Sequence, residues 1–307
     1  MPKDFISLAD WSREELAELL DRARELKELD RRGVRPQTLE GRTLAMFFEK
    51  PSLRTHVTFE AGITQLGGHA VMLLPEQVGI GTRESAADVA RNLSRWVDGL
   101  VARTFRHELV LELAREASIS VINGLTDLHH PCQVMADLQT IAERCPLERA
   151  VIAYVGDGNN VVNSLLDGAA LFGLELRVAT PATHRPDEGV HKRARELAAR
   201  SGARLAWTED PGEAVRGANF VYTDVWTSMG QEAEREQRRR IFAPYQVNAR
   251  LLALAPGAWV MHCLPAHRGE EITDEVLDGP RAIALDQAEN RLHSQKAIVE
   301  RLLAHRS

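Results

Sequence analysis

Val151-Ile152-Ala153-Tyr154-Val155-Gly156-Asp157-Gly158-Asn159-Asn160 runs five apolar residues into a polar loop with two glycines, and helical apolar spacing follows to about Leu171. A run this short suits a strand buried on both faces, and the glycines suit a tight turn from strand into helix. The same order occurs upstream. Thr43–Phe48 reads as a strand, Glu49–His56 as its loop, and about Leu53–Leu66 as a helix. Further out, Ser12-Arg13-Glu14-Glu15 is a capping box opening a helix to about Asp30, with Leu16, Leu19, Leu20 and Leu26 on one face. Short apolar runs at Ala70–Leu74, Gly99–Ala102, Ile119–Ile122, Leu176–Ala179, Ala203–Ala206, Phe220–Thr223 and Trp259–Met261 read as the other strands. Helical stretches fall near Ser85–Trp96 and Glu108–Ala117, from about Pro131, and at about Gln287–Leu303. Alternation of this kind predicts parallel sheets covered by helices on both faces, the α/β class.

The chain has 307 residues; at roughly 150 residues per domain, two domains are expected. The seam falls near Cys145-Pro146, which gives domains over 1–145 and 146–285, with 286–307 as a helix returning to the first. Lys+Arg 38 against Asp+Glu 44 leaves a net charge of −6, so no global cationic field favours nucleic acid or anionic lipid. Any anion site has to be a local cluster. No apolar run approaches the roughly 18 residues of a membrane span, and Met1-Pro2-Lys3-Asp4-Phe5 lacks the apolar core of a secretory signal. Cys132, Cys145 and Cys263 cannot all pair and lack zinc-ribbon spacing, which points to a reducing cytoplasm.

In parallel sheets ligands bind beyond the carboxyl ends of the strands, so the strand-to-helix loops are where chemistry is expected. Ser52 is a natural N-cap after the Thr43–Phe48 strand; the amides that follow it, two hydroxyls and Arg54 converge where the helix dipole favours an anion. A capped helix with a surface arginine is the plainer alternative. Arg103 ends an apolar strand, where its charge needs an acid or a ligand. His130 stands before Pro131 at the mouth of a helix, with Gln133 one turn along; it is either a cap or a donor to a substrate carbonyl. Adjacent residues rarely give ligand geometry, so no metal is expected at His129-His130-Pro131-Cys132. At Gly156–Asn160 the third glycine of a dinucleotide fingerprint falls on Val161, so hydrogen bonding to a small polar ligand fits better than a nicotinamide cofactor. Asp224, after the Phe220–Thr223 strand, can hold an ammonium; Ser228-Met229-Gly230 suits a lid, and Gln231–Arg240 a solvated helix. Cys263, at a strand end, reads as a nucleophile, a hydrogen-bond partner or a small core residue.

Taken together, Pro51-Ser52-Leu53-Arg54-Thr55, His130-Pro131-Cys132-Gln133, Gly156–Asn160, Asp224 with Ser228-Met229-Gly230, His262-Cys263-Leu264-Pro265 and Ala288-Glu289-Asn290-Arg291 resemble the ornithine carbamoyltransferase family, within the aspartate/ornithine carbamoyltransferase superfamily. The stretches run in family order along the whole chain. The resemblance implies two Rossmann-like, doubly wound parallel-sheet domains linked by helices, the first for carbamoyl phosphate and the second for L-ornithine. It also implies a homotrimer or a multiple of trimers, no cofactor, and conversion of ornithine to citrulline in arginine biosynthesis. Position by position, Ser52, the Leu53 backbone, Arg54 and Thr55 would hold the phosphate. Arg103, His130 and Gln133 would grip the carbamoyl end with Cys263, Leu264 and Arg291, while Asn160, Asp224, Ser228 and Met229 would bind ornithine. Arg54, Arg103, His130 and Cys263 form the catalytic set so implied.

Many relatives have Ser-Thr-Arg-Thr-Arg where this chain has Leu53 and His56, and an imidazole is only partly charged near neutral pH. Gly79 aligns with a glutamine that the neighbouring subunit commonly supplies, with Gln77 two residues earlier, and neither residue receives that role. Alternatives are a carbamoyltransferase for another amine, such as putrescine or N-acetylornithine, or a non-catalytic relative that binds carbamoyl phosphate. Asp224 favours free ornithine, because its α-ammonium needs an acid partner.

Overall fold

The computed structural model describes residues 3–227 and 232–304. In chain order the elements are α1 (Arg13–Arg31), β1 (Thr43–Phe48), α2 (Leu53–Gln65), β2 (His69–Leu73), α3 (Pro75–Val78), α4 (Ala86–Trp96), β3 (Gly99–Arg103), α5 (His107–Glu116), β4 (Ser120–Leu125) and α6 (Pro131–Ala142). There follow β5 (Val151–Val155), α7 (Asn160–Phe172), β6 (Glu175–Ala179), α8 (Glu188–Ser201), β7 (Arg204–Thr208), α9 (Pro211–Val215) and β8 (Phe220–Thr223). The chain ends with α10 (Arg235–Phe242), α11 (Ala249–Leu252), β9 (Trp259–His262), α12 (Asp274–Leu277) and α13 (Ala284–Leu303). Among these described residues no helix is long and apolar enough to cross a membrane.

The chain divides into two compact units, Met1–Gln139 with Glu289–Ser307, and Thr140–Ala288. The two divisions fall inside α6 and α13, the first a few residues ahead of Cys145-Pro146. The reason is local: α6 is an unbroken helix with a continuously buried run, and no glycine or proline interrupts it between Pro131 and Ala142.

The first unit holds a four-stranded sheet in the order β2-β1-β3-β4, and the second a five-stranded sheet in the order β7-β6-β5-β8-β9. All these pairings are parallel. Central strands are apolar but for their ends, as burial on both faces demands; β3 is buried at every position, its terminal Arg103 included. In each order the winding reverses once, between β1 and β3 in the first sheet and between β5 and β8 in the second. Such a reversal opens a crevice at the carboxyl ends of the two strands. It therefore singles out the loops after β1 and β3, and after β5 and β8.

One sequence expectation needs correction, and two stretches left without a reading receive a structure. Residues 188–201 form the long helix α8, which the strand-centred reading passed over because its apolar face is only Val190, Ala194 and Ala198. The charged 231–240 stretch is not wholly solvated, since Arg238 and Phe242 of α10 are buried. Gly79 ends α3 in the left-handed conformation at φ 66°, and a Cβ there would meet Arg83 Cβ at 2.8 Å. The tight turn requires glycine at that position.

Candidate active site

In the first unit polar side chains gather at the winding reversal. Ser52 caps α2, its hydroxyl accepting the Thr55 N–H at 3.2 Å, so the helix opens with its dipole's positive end at the loop. The β3–β4 ladder shifts register between Ala102 and Arg103, and this irregularity re-aims the last side chain, buried Arg103. His130 lies buried at the mouth of α6. From α13, Arg291 donates to Thr55 Oγ1 at 2.9 Å, Gln133 Oε1 at 2.7 Å and Gln295 Oε1 at 2.8 Å. Gln133 Nε2 in turn donates to Asp137 Oδ1 at 2.9 Å, which orients the amide with its oxygen toward the guanidinium. Because Thr55 Oγ1 accepts from Arg291, its own hydrogen is available for donation elsewhere.

These groups concentrate positive potential on one imidazole. Burial holds the His130 pKa well below the ordinary histidine value, and the charges of Arg291, Arg103 and Arg54 push it further the same way. An uncharged histidine near three guanidiniums can hydrogen-bond without adding charge, and such a cluster suits an anion. Lys50 adds a fourth cation. It is buried, its Nζ lies 4.6 Å from the centroid of the Phe105 ring, and no hydrogen bond or ion pair holds it among the described residues. Burial, then the charge of Arg103, lowers its pKa. Cys132 is buried, and its thiol is pushed up to about 12 by that burial, which leaves it inert.

The second unit repeats the logic with opposite sign. Asn159 caps α7, its Oδ1 accepting the Val161 N–H at 2.9 Å, while its Nδ2 donates to Asp224 Oδ2 at 2.7 Å. Cys263 Sγ donates to the other carboxylate oxygen, Asp224 Oδ1, at 2.9 Å. The buried Tyr154 hydroxyl donates to Asp157 O at 2.9 Å, and burial together with the charge of Asp224 holds its pKa far above the usual phenol range. The result is a buried carboxylate at the end of β8, steered from both sides, which suits an ammonium. Asp224, His262 and Cys263 each offer a ligand atom within 4.8 Å of the others, but both ring nitrogens of His262 are already engaged, by Leu264 N–H and Glu271. Gly158 accommodates the chain itself: a Cβ there would meet Arg185 C at 2.3 Å and His184 O at 2.4 Å. Residues 184–186 thus fill the side on which a dinucleotide fingerprint keeps space for a pyrophosphate.

Residues 3–143 match the family model for the carbamoyl-phosphate-binding domain of aspartate/ornithine carbamoyltransferases, and residues 148–302 match the model for the aspartate/ornithine-binding domain. This chain belongs to the aspartate/ornithine carbamoyltransferase family. The ornithine carbamoyltransferase of Symbiobacterium thermophilum is 54% identical over 304 residues, covering 98% of each chain. That of Methanospirillum hungatei is 53% identical over 306 residues, covering 99% of this chain and all of the other. Among solved structures, the ornithine carbamoyltransferase from Pyrococcus furiosus superposes with a TM-score of 0.96 at 47% identity, covering 99% of this chain and 98% of that one.

Set against a carbamoyltransferase site, the sequence expectations divide cleanly. In the first unit Thr55, Gln133 and Arg291 form one hydrogen-bonded group, and Arg54, Arg103 and Arg291 act on His130. The Leu53 side chain is 74% exposed, so only its backbone stands at the helix opening. His56 pairs with Glu60 at 2.9 Å along the helix surface. In the second unit Asp224 and Cys263 meet directly, and Leu264 follows in the turn. Asn160 is the first residue of α7, and Asn159 just before it donates to Asp224. Ser228 and Met229 lie outside the described residues. Lys50, Asp137, Tyr154 and Glu271 received no role in the sequence reading, whereas Asn159 fell within the Gly156–Asn160 loop read as hydrogen bonding to a small polar ligand.

Proposed function

We propose that this chain transfers the carbamoyl group of carbamoyl phosphate to the side-chain amine of L-ornithine, giving L-citrulline and phosphate. The observation that carries the reading is the convergence of Arg54, Arg103 and Arg291 on an uncharged His130, beside the capped opening of α2. Full-length relatives at about half identity bear the name of this activity. Ser52, the Leu53 amide, Arg54 and Thr55 hold the phosphate oxygens. Arg103, His130, Gln133 and Arg291 serve the carbamoyl end. On the ornithine side Asp224 takes the α-ammonium, with Asn160, Ser228 and Met229 completing the contact and Cys263 and Leu264 shaping the turn beside it.

The neutral side-chain nitrogen attacks the carbamoyl carbon, and the carbonyl oxygen gains negative charge. Thr55, with its hydrogen free to donate, Arg103 and the uncharged His130 stabilise that oxygen. The bond from carbon to the phosphate oxygen then breaks. Arg54 and the α2 amides offset the charge of the departing phosphate, which takes the nitrogen's proton. The active protein is a homotrimer or a multiple of it and works in the cytoplasm without a cofactor. An assay with carbamoyl phosphate and, separately, ornithine, N-acetylornithine, putrescine and aspartate tests the reading. Preference for ornithine is expected, and preference for any other amine overturns it. Sedimentation equilibrium is expected to give three times the mass of one chain, or a multiple of that.

A further inference from the structure

The turn after β9 is held by a buried relay that none of the substrate roles requires. His262 and Glu271 are both fully buried. The Leu264 N–H donates to His262 Nδ1 at 2.8 Å. A backbone N–H can only donate, so Nδ1 carries a lone pair and the ring hydrogen sits on Nε2. That hydrogen points to Glu271 Oε1 at 3.1 Å. The same oxygen accepts the His267 N–H at 2.6 Å, and Glu271 Oε2 has no hydrogen-bond partner among the described residues. One carboxylate oxygen therefore ties together both ends of the segment 262–267.

Both anchors are themselves fixed. The His262 N–H donates to Gln287 Oε1 at 2.9 Å, and the Val247 N–H donates to Glu271 O at 2.8 Å. Between them, Leu264 sits at φ 55°, a left-handed conformation that residues with a side chain rarely adopt unless held there. Its own N–H, bonded to His262, helps maintain that conformation. Cys263, one residue earlier, donates to Asp224.

We propose that Glu271 is a positioning residue for ornithine: acting through the His262 ring, it locks the 263–265 turn and so sets the aim of Cys263 and Leu264 beside Asp224. The proposal rests on the ornithine reading given above. An oxygen that accepts two hydrogen bonds at once is needed at this position, which a carboxylate or a primary amide supplies and an apolar side chain does not. Small losses of aim in such a shell typically cost much of the binding they support.

The test compares Glu271→Gln, which keeps an accepting amide oxygen, with Glu271→Leu, which removes both acceptors. His262→Asn breaks the relay from the other end should Glu271→Leu fail to fold. Expected for Glu271→Leu, or in its place His262→Asn, is an ornithine KM raised at least tenfold, with the carbamoyl-phosphate KM within twofold. Glu271→Gln is expected to restore most of the loss. A second readout needs no turnover: iodoacetamide labelling of Cys263, followed by peptide mass, is expected to speed up at least fivefold in the relay-breaking variant. Unchanged ornithine KM and labelling rate, or both KM values rising together, overturns the proposal. Absence of ornithine turnover in the parent chain overturns the functional reading instead, and the labelling comparison still decides the relay.

Discussion

At the scale of single residues, the first unit separates permanent charge from permanent neutrality. Arg54 and Arg103 are charged at any physiological pH, whereas His130 is held uncharged by burial and by the arginines around it. Arg54→Ala is expected to lower citrulline formation on the order of 10²–10³-fold, the usual effect of removing one well-aimed donor. Normal turnover in that variant would contradict the phosphate assignment. The pKa of His130 is depressed, so the unfolded chain takes up a proton near the ordinary histidine value and the folded chain does not. Stability from this group is complete above about 6.5 and is lost as pH falls through the lower folded value. His130→Gln is therefore expected to flatten the fall in urea midpoint below pH 6.5. A parent activity profile with a histidine-like inflection near that pH, abolished in His130→Gln, would show that the imidazole titrates after all.

At the scale of elements, α10 is clasped to the glycine loop. Arg238 pairs with Asp157 at 2.6 Å, and its Nε–H donates to Trp226 O at 2.5 Å. Burial raises the Asp157 carboxyl to about 6 against the opposing pull of Arg238. The folded chain thus keeps a proton that the unfolded chain has released, its carboxyl lying near 3.8. Stability from this group is complete below about 3.8 and is lost as pH rises through about 6. Asp157→Asn cannot titrate, so it is expected to gain on the parent chain, measured by melting temperature, as pH climbs from 4.5 to 7. A constant gap across that range would refute the raised carboxyl.

The same elements show what a sequence can carry. Strand β1, its capped loop and α2 were legible because apolar period, Ser52 and the helical spacing agree locally. Arg103 was legible because a charge ending an apolar strand needs a reason. Glu271 and Asp137 were not: each acts through another side chain, Asp137 through Gln133 four positions earlier on the same helix and Glu271 through His262 nine positions away, and neither spacing by itself marks a link to a ligand. Asn159 and Asn160 are adjacent and alike, and only the helix start marks Asn159 as the cap, whose amide also reaches Asp224.

At the scale of the whole molecule, the unit that matches the carbamoyl-phosphate domain contains both ends of the chain. A ligand bound only by the folded protein stabilises it by mass action, so a phosphonate bisubstrate mimic at a hundred times its dissociation constant is expected to add about 2.7 kcal/mol. Differential scanning calorimetry checks this, and the rise in melting temperature should largely vanish in Arg54→Ala. An equal rise in both proteins would place the mimic elsewhere.

Arg291 reaches Thr55 across 236 positions of sequence, and Arg22 meets Glu300 at 2.5 Å in the same unit. Residues 1–139 alone carry Ser52, Arg54, Arg103 and His130 but lack the guanidinium that binds Thr55 and Gln133. Because a chain is made from its amino end, the cluster of the first unit gains its third arginine only after the whole of the second unit has been synthesised.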